Sequence, residues 1–140
     1  EVNVLNVARR FPGGAGTATA ALAFGGNQPP VQADTESWNG TNWTEVANMN
    51  SARTRSMSFG TANTAALVAG GEGNPSVAGL VEVWNGSSWS ETTDMTTPRT
   101  NTATGAGSTT AGLVAGGNPS STAATEEWNN GVLTKTFTTS

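Results

Sequence analysis

Three near-copies of one segment constrain this chain more than its composition does. Thr35-Glu36-Ser37-Trp38-Asn39-Gly40-Thr41-Asn42-Trp43 returns as Val81-Glu82-Val83-Trp84-Asn85-Gly86-Ser87-Ser88-Trp89. An altered copy runs Thr125-Glu126-Glu127-Trp128-Asn129-Asn130-Gly131-Val132-Leu133. Recurrence of this kind means one supersecondary unit stacked on itself. The fold then follows from the unit, and function from what the units build together.

Three landmarks hold the register along nearly the whole chain. An Arg follows a polar loop at Arg9, Arg53 and Arg99, and an apolar residue precedes each at Leu5, Met49 and Met95. A small apolar run ending in Gly-Gly comes next, over residues 20–26, 65–71 and 111–117. The Glu of the Glu-x-Trp-Asn run stands third, at Glu36, Glu82 and Glu126. Successive spacings are 44 and 46 for the Arg, 45 and 46 for the Gly pair, and 46 and 44 for the Glu. The period is therefore about 45 residues.

Each period predicts four strands. The stretch after the Arg, residues 54–60 in the second copy, alternates weakly and opens the unit. The apolar run is continuous and bounded by Gly, which suits a strand covered on both faces. Residues 35–38 and 41–46 flank Asn39-Gly40, a strong hairpin signal. A two-residue turn there predicts Trp38 opposite Thr41 and Glu36 opposite Trp43, with Glu36, Trp38 and Trp43 on one face. Four antiparallel strands in about 45 residues, with paired aromatics, is the pattern of a propeller blade. The expected fold is all-β, with three four-stranded antiparallel blades per chain. A β-trefoil, which also has three repeats of about this length, is the alternative. The blades are expected over residues 5–48, 49–94 and 95–137 of a single repeat domain spanning 1–140, and residues 1–4 align with the tail of a preceding fourth strand.

The order of these motifs resembles the kelch family. The matching residues are Arg53, Gly70-Gly71, Val81-Glu82-Val83-Trp84, Trp89 and Met95-Thr96-Thr97-Pro98-Arg99. Trp stands where Tyr is usual in that family, and the third copy has Leu133 in place of Trp43 and Trp89. The Trp-Asn-Gly-x-x-Trp form is similar to kelch-like repeats of bacteriophage and environmental structural proteins. The resemblance implies a β-propeller on a virion or in an extracellular assembly. Closed propellers have roughly four to eight blades, so three copies predict completion by something else. One candidate is a second copy, closing a ring by twofold symmetry. The other is a set of further blades, these 140 residues being a processed or excised piece of a longer parent.

Composition excludes several chemistries. The chain has no Cys, no His and no Tyr. Ser-His-Asp and Cys-His nucleophiles, His or Cys zinc sites and disulfides are therefore ruled out, as is the copper chemistry of kelch-bearing oxidases. Six Lys plus Arg in a chain of net charge −4 and pI near 4.6 argue against nucleic acid, because phosphate binding needs clustered cations. No run of 18 apolar residues predicts a membrane span. Carboxylates alone remain as acid–base candidates, and most recur once per repeat, as a structural group would. The chain is expected to be no enzyme, with no catalytic residues, no metal site and no cofactor.

The five tryptophans recur at fixed phase, which marks packing between blades rather than a sugar-stacking surface. Arg9, Arg53 and Arg99 recur with Glu36, Glu82 and Glu126, which predicts an Arg–Glu pair or Arg-to-carbonyl bonding in each repeat. The segment between Gly-Gly and Glu varies in length while its flanks stay in register. It is rich in hydrogen-bonding side chains, and loops that vary on a regular scaffold are where binding is grafted. Asn27, Gln28, Glu72, Asn74, Asn118 and Ser120 are the candidate binding residues there. The expected function is a non-enzymatic structural or adhesive module that contacts a glycan or surface protein through these loops and self-associates. A carbohydrate-binding lectin is the alternative.

Overall fold

A computed structural model describes residues 3–73, 75–101, 104–118, 123–129 and 132–137, and among them every regular element is a strand. Strands β1 (Gly13–Thr17), β2 (Ala20–Phe24), β3 (Thr35–Trp38) and β4 (Trp43–Val46) form the first sheet. The second contains β5 (Met57–Ala62), β6 (Ala65–Ala69), β7 (Val81–Trp84) and β8 (Trp89–Glu91). The third contains β9 (Thr104–Gly107), β10 (Ala111–Ala115), β11 (Thr125–Asn129) and β12 (Val132–Phe137). All three are antiparallel meanders in which chain order is sheet order. The trefoil alternative fails on this topology. It needs strands of different repeats to share one barrel, whereas each four-stranded sheet here draws its strands from a single repeat.

The sheets stack face to face in sequence. Leu22 and Phe24 of the first sheet pack with Ala66, Val68, Trp84 and Trp89 of the second, closed by Met49 from the connection. On its other face the second sheet packs Met57, Phe59, Leu67, Ala69 and Val81 against Val114, Trp128 and Met95. Strand β6 explains the continuous apolar run. Side chains alternate across a strand, so Ala66 and Val68 enter one core while Leu67 and Ala69 enter the other. Strand β10 has the same sequence type but only one covered face: Gly112 and Val114 are buried, while Leu113 is 43% exposed. The three sheets thus form an open arc, and among the described residues no further sheet packs on its first or last face.

The Glu-x-Trp hairpin differs from the expected two-residue turn. Trp38 pairs with Trp43 and Glu36 with Glu45, so the strand resumes at Trp43 rather than Thr41. The cause is the Asn39 side chain, whose Oδ1 accepts the backbone N–H groups of Thr41 and Asn42, both at 2.9 Å. An Asx cap of this kind holds four residues in the turn. Asn85 does the same for Ser87 and Ser88. The register shift leaves Trp38 and Trp43 on one face, ring centroids 5.3 Å apart.

Each repeat is locked by one buried ion pair. Arg9–Glu36, Arg53–Glu82 and Arg99–Glu126 all meet at 2.6 Å, with side chains fully buried. Each guanidinium also donates to two backbone carbonyls at the ends of the second and third strands, those of Gly70 and Leu80 in the second repeat. Each Glu accepts the N–H groups of the residues two and three before the Arg, Asn50 and Ser51 in that repeat. Burial pushes the Arg53 guanidinium below its ordinary value, against the raising effect of the Glu82 charge and hydrogen bond. The pair therefore joins the second and third strands and the incoming loop at a single point. The first Trp of each repeat fastens the other end, with Trp38, Trp84 and Trp128 donating to the carbonyls of Ala18, Asn63 and Thr109.

Candidate functional site

The candidate site grows out of the loop that follows each buried Arg. The next residue, Arg10, Thr54 or Thr100, forms an isolated bridge with the residue after the Gly pair, which is Asn27, Glu72 or Asn118. Reciprocal backbone hydrogen bonds of 2.7–3.0 Å close each bridge. One residue further on, the backbone turns left-handed in every repeat: φ is 52° at Phe11, 52° at Arg55 and 45° at Asn101. That conformation costs about 1–2 kcal/mol for most L-residues and least for Asn. Asn101 fits the position readily. Phe11 and Arg55 do not, which points to their side chains as the reason for their presence.

Those side chains meet across the boundary between the first and second repeats. The Arg55 N–H donates to the Phe11 carbonyl at 3.3 Å, and the Arg55 guanidinium lies over the Phe11 ring at 4.6 Å from its centroid. Arg55 also pairs with Glu72 at 2.9 Å, and the other Glu72 oxygen accepts from the Asn101 amide. A polar chain, Phe11–Arg55–Glu72–Asn101, runs along one rim through all three repeats. Beside it, Arg10, Phe11, Asn27, Gln28, Pro29 and Arg55 line a cleft of about 380 Å³. Ligand pockets begin at about 300 Å³. The Gln32 amide donates to the carbonyls of Gln28 and Pro30, which ties the outer wall of the cleft into a compact loop.

Electrostatics single out this cleft. Three of the six cationic residues are sealed in the Arg–Glu pairs, and Lys135 stands on β12. The remaining two, Arg10 and Arg55, both line the cleft. Arg10 has no ion pair among the described residues, and Phe11 is 53% exposed. An acidic chain thus presents paired guanidinium groups beside an open aromatic ring and two carboxamides, a set suited to an anion carried on a small polar body.

The structure brings Asn27 and Gln28 of the expected binding residues into the cleft. Glu72 lies on the far side of Arg55, as its ion-pair partner, and Asn118 lies further along the rim, bridged to Thr100. Asn74 and Ser120 lie outside the described residues. Arg10, Phe11 and Arg55 were not among the expected binding residues. For the two arginines a census of cations held the signal, since removing the three periodic arginines leaves only Arg10, Arg55 and Lys135, and the first two each lie within two residues of a periodic Arg. Among the described residues no group of three or more acidic side chains could hold a metal ion, and no helix is long and apolar enough to cross a membrane. Compared with known families and curated proteins, the chain matches none.

Proposed function

We propose that this protein is a non-enzymatic binding module, structural or adhesive in role, whose rim cleft holds a carboxylate-bearing sugar on a partner surface. The observation that carries the reading is the convergence of Arg10 and Arg55 with Phe11 in one cleft of an otherwise acidic chain. Arg10 supplies the free charge, the open part of the Phe11 ring an apolar face, and Asn27 and Gln28 the hydroxyl partners. Glu36, Glu82 and Glu126 are each committed to a buried Arg, which supports a role without acid–base chemistry. The kelch-like motif order supports a propeller scaffold, and its phage-like Trp-Asn-Gly-x-x-Trp form supports a place on a virion or in an extracellular assembly.

Amide-resolved NMR titration tests the reading. Glucuronate should shift the amides of Arg10, Phe11, Asn27, Gln28 and Arg55, and glucose at the same concentration should shift them far less. Arg10→Ala should remove the glucuronate response while leaving the rest of the spectrum in place. Equal responses to both sugars, or none to either, would overturn the assignment.

A further inference from the structure

The two open ends of the arc repeat most of the residues on the two sides of an interface already present inside the chain, with Ala115 and Ala23 standing for Phe24 and Val68. At the junction of the first and second sheets, Leu22 packs with Ala66, Trp84 and Trp89. Trp89 Nε1 donates to Thr35 Oγ1 at 3.0 Å. The repeat register carries Leu22 to Leu113 and Thr35 to Thr125, both on the third sheet. It carries Ala66, Trp84 and Trp89 to Ala21, Trp38 and Trp43, all on the first sheet. Each of these five residues therefore has an identical counterpart on one of the two terminal sheets, Trp38 being already buried in the single chain and Leu113 and Trp43 more open than Leu22 and Trp89.

The other internal junction shows that this match is selective. At the second–third junction the position of Thr35 is held by Val81, and the position of Trp89 by Leu133. An indole N–H is thus in register with a hydroxyl, and an aliphatic residue with an aliphatic residue. Trp43 and Thr125 reproduce the first combination. Exposure follows the same logic. Leu22 and Leu67 are 2% and 1% exposed, whereas Leu113, at the same position, is 43% exposed. Trp89 is buried, whereas Trp43 is only half-buried and has no Nε1 partner among the described residues.

The backbone carries a third element of the match. Gly26 N–H donates to the Arg53 carbonyl and Gly71 N–H to the Arg99 carbonyl, each across a junction. Gly117 is their counterpart, and the Arg9 carbonyl of a neighbouring copy is the acceptor in register with it. Ala115 stands where Phe24 packs, but Ala69 holds that position at the second junction, where the core is closed.

We propose that the third sheet of one chain packs on the first sheet of a second copy, and reciprocally, closing a twofold ring of six sheets. The contact is the internal junction made between molecules, with Leu113 against Ala21 and Trp38 and with Trp43 donating to Thr125. For these 140 residues, one copy supplies three sheets and three copies nine, while two copies give six, inside the range of roughly four to eight that closes. The ring also extends the rim, since Phe11 of the second copy takes the place beside Asn101 that Arg55 takes beside Phe11.

Sedimentation equilibrium of the intact chain is the test. The expected mass is twice the 14.1 kDa of the single chain. Trp43→Ala should raise the dimer dissociation constant on the order of a thousand-fold, because the substitution removes a central interface Trp from both contacts of the ring. Leu113→Glu, on a face that the single chain leaves open, should do the same while keeping the far-ultraviolet spectrum of the parent. Trp43→Leu should weaken the dimer, and adding Thr125→Val should restore much of it by recreating the aliphatic combination. A monomeric parent chain, a mass above two copies, or a dimer indifferent to Leu113→Glu would overturn the proposal. Sugar binding at the Arg10 cleft is read separately, so neither result stands in for the other.

Discussion

Both oxygens of Glu82 are occupied, one by the Arg53 guanidinium and the Ser51 N–H, the other by the backbone and side-chain amides of Asn50. Such a group contributes little as a charge pair, because desolvation offsets the Coulomb gain, yet breaking it strands the partner. Glu82→Gln should therefore destabilise the fold by about 3–5 kcal/mol, read as a lowered urea midpoint with unchanged slope. A catalytic role would have left stability intact. The third repeat supplies an internal comparison: Thr96 replaces the Asn, and among the described residues Glu126 accepts the Thr96 and Thr97 N–H groups besides Arg99. Asn50→Thr should accordingly cost the second repeat about 2 kcal/mol, since the Asn50 amide donates to both Glu82 and the Trp89 carbonyl and each net hydrogen bond is worth about 1 kcal/mol. At this scale the sequence was informative where residues recur and silent where they do not. The Arg–Glu pairs could be read from their common period. Phe11 could not, since its importance lies in a left-handed backbone that no local pattern announces and in a contact between repeats.

Strands β6 and β10 are nearly the same peptide in two environments, and that difference is a property of the element. Leu67 lies between two sheets, while Leu113 lies on a face with no further sheet beyond it among the described residues. In dilute solution, Leu67→Ala should cost about 2–5 kcal/mol through lost transfer energy and an unfilled cavity. Leu113→Ala should cost less than about 0.5 kcal/mol, as a surface change does. Urea titrations of the two variants at one low concentration make the comparison. The hairpin shows the limit of reading elements from dipeptides. Asn39-Gly40 marks the turn correctly, and Gly40 takes the positive φ, 94°, that such turns need. Its length, however, is set by the Asn39 side chain capping two further N–H groups, so pairing moved to Trp38–Trp43. The facing of Glu36, Trp38 and Trp43 survived because the strands keep their alternation.

For the whole molecule, the open arc leaves stability linked to concentration. A partner that binds only the folded chain stabilises it by mass action. Above the dissociation constant, each tenfold rise in protein should then add about 1.4 kcal/mol of linkage per dimer, or about 0.7 kcal/mol per chain. Two contacts form together in a closed ring, so the dependence should be cooperative and saturate at the dimer rather than continue into longer arrays. The thermal midpoint of the parent chain should climb by several degrees per decade of concentration, and that of Leu113→Glu should stay level at a lower value. An arc that instead polymerised end to end through the same faces would climb as well, but its mass would grow without limit. The pair of measurements separates a closed ring from an open stack, because closure alone ties the stability gain to a fixed copy number.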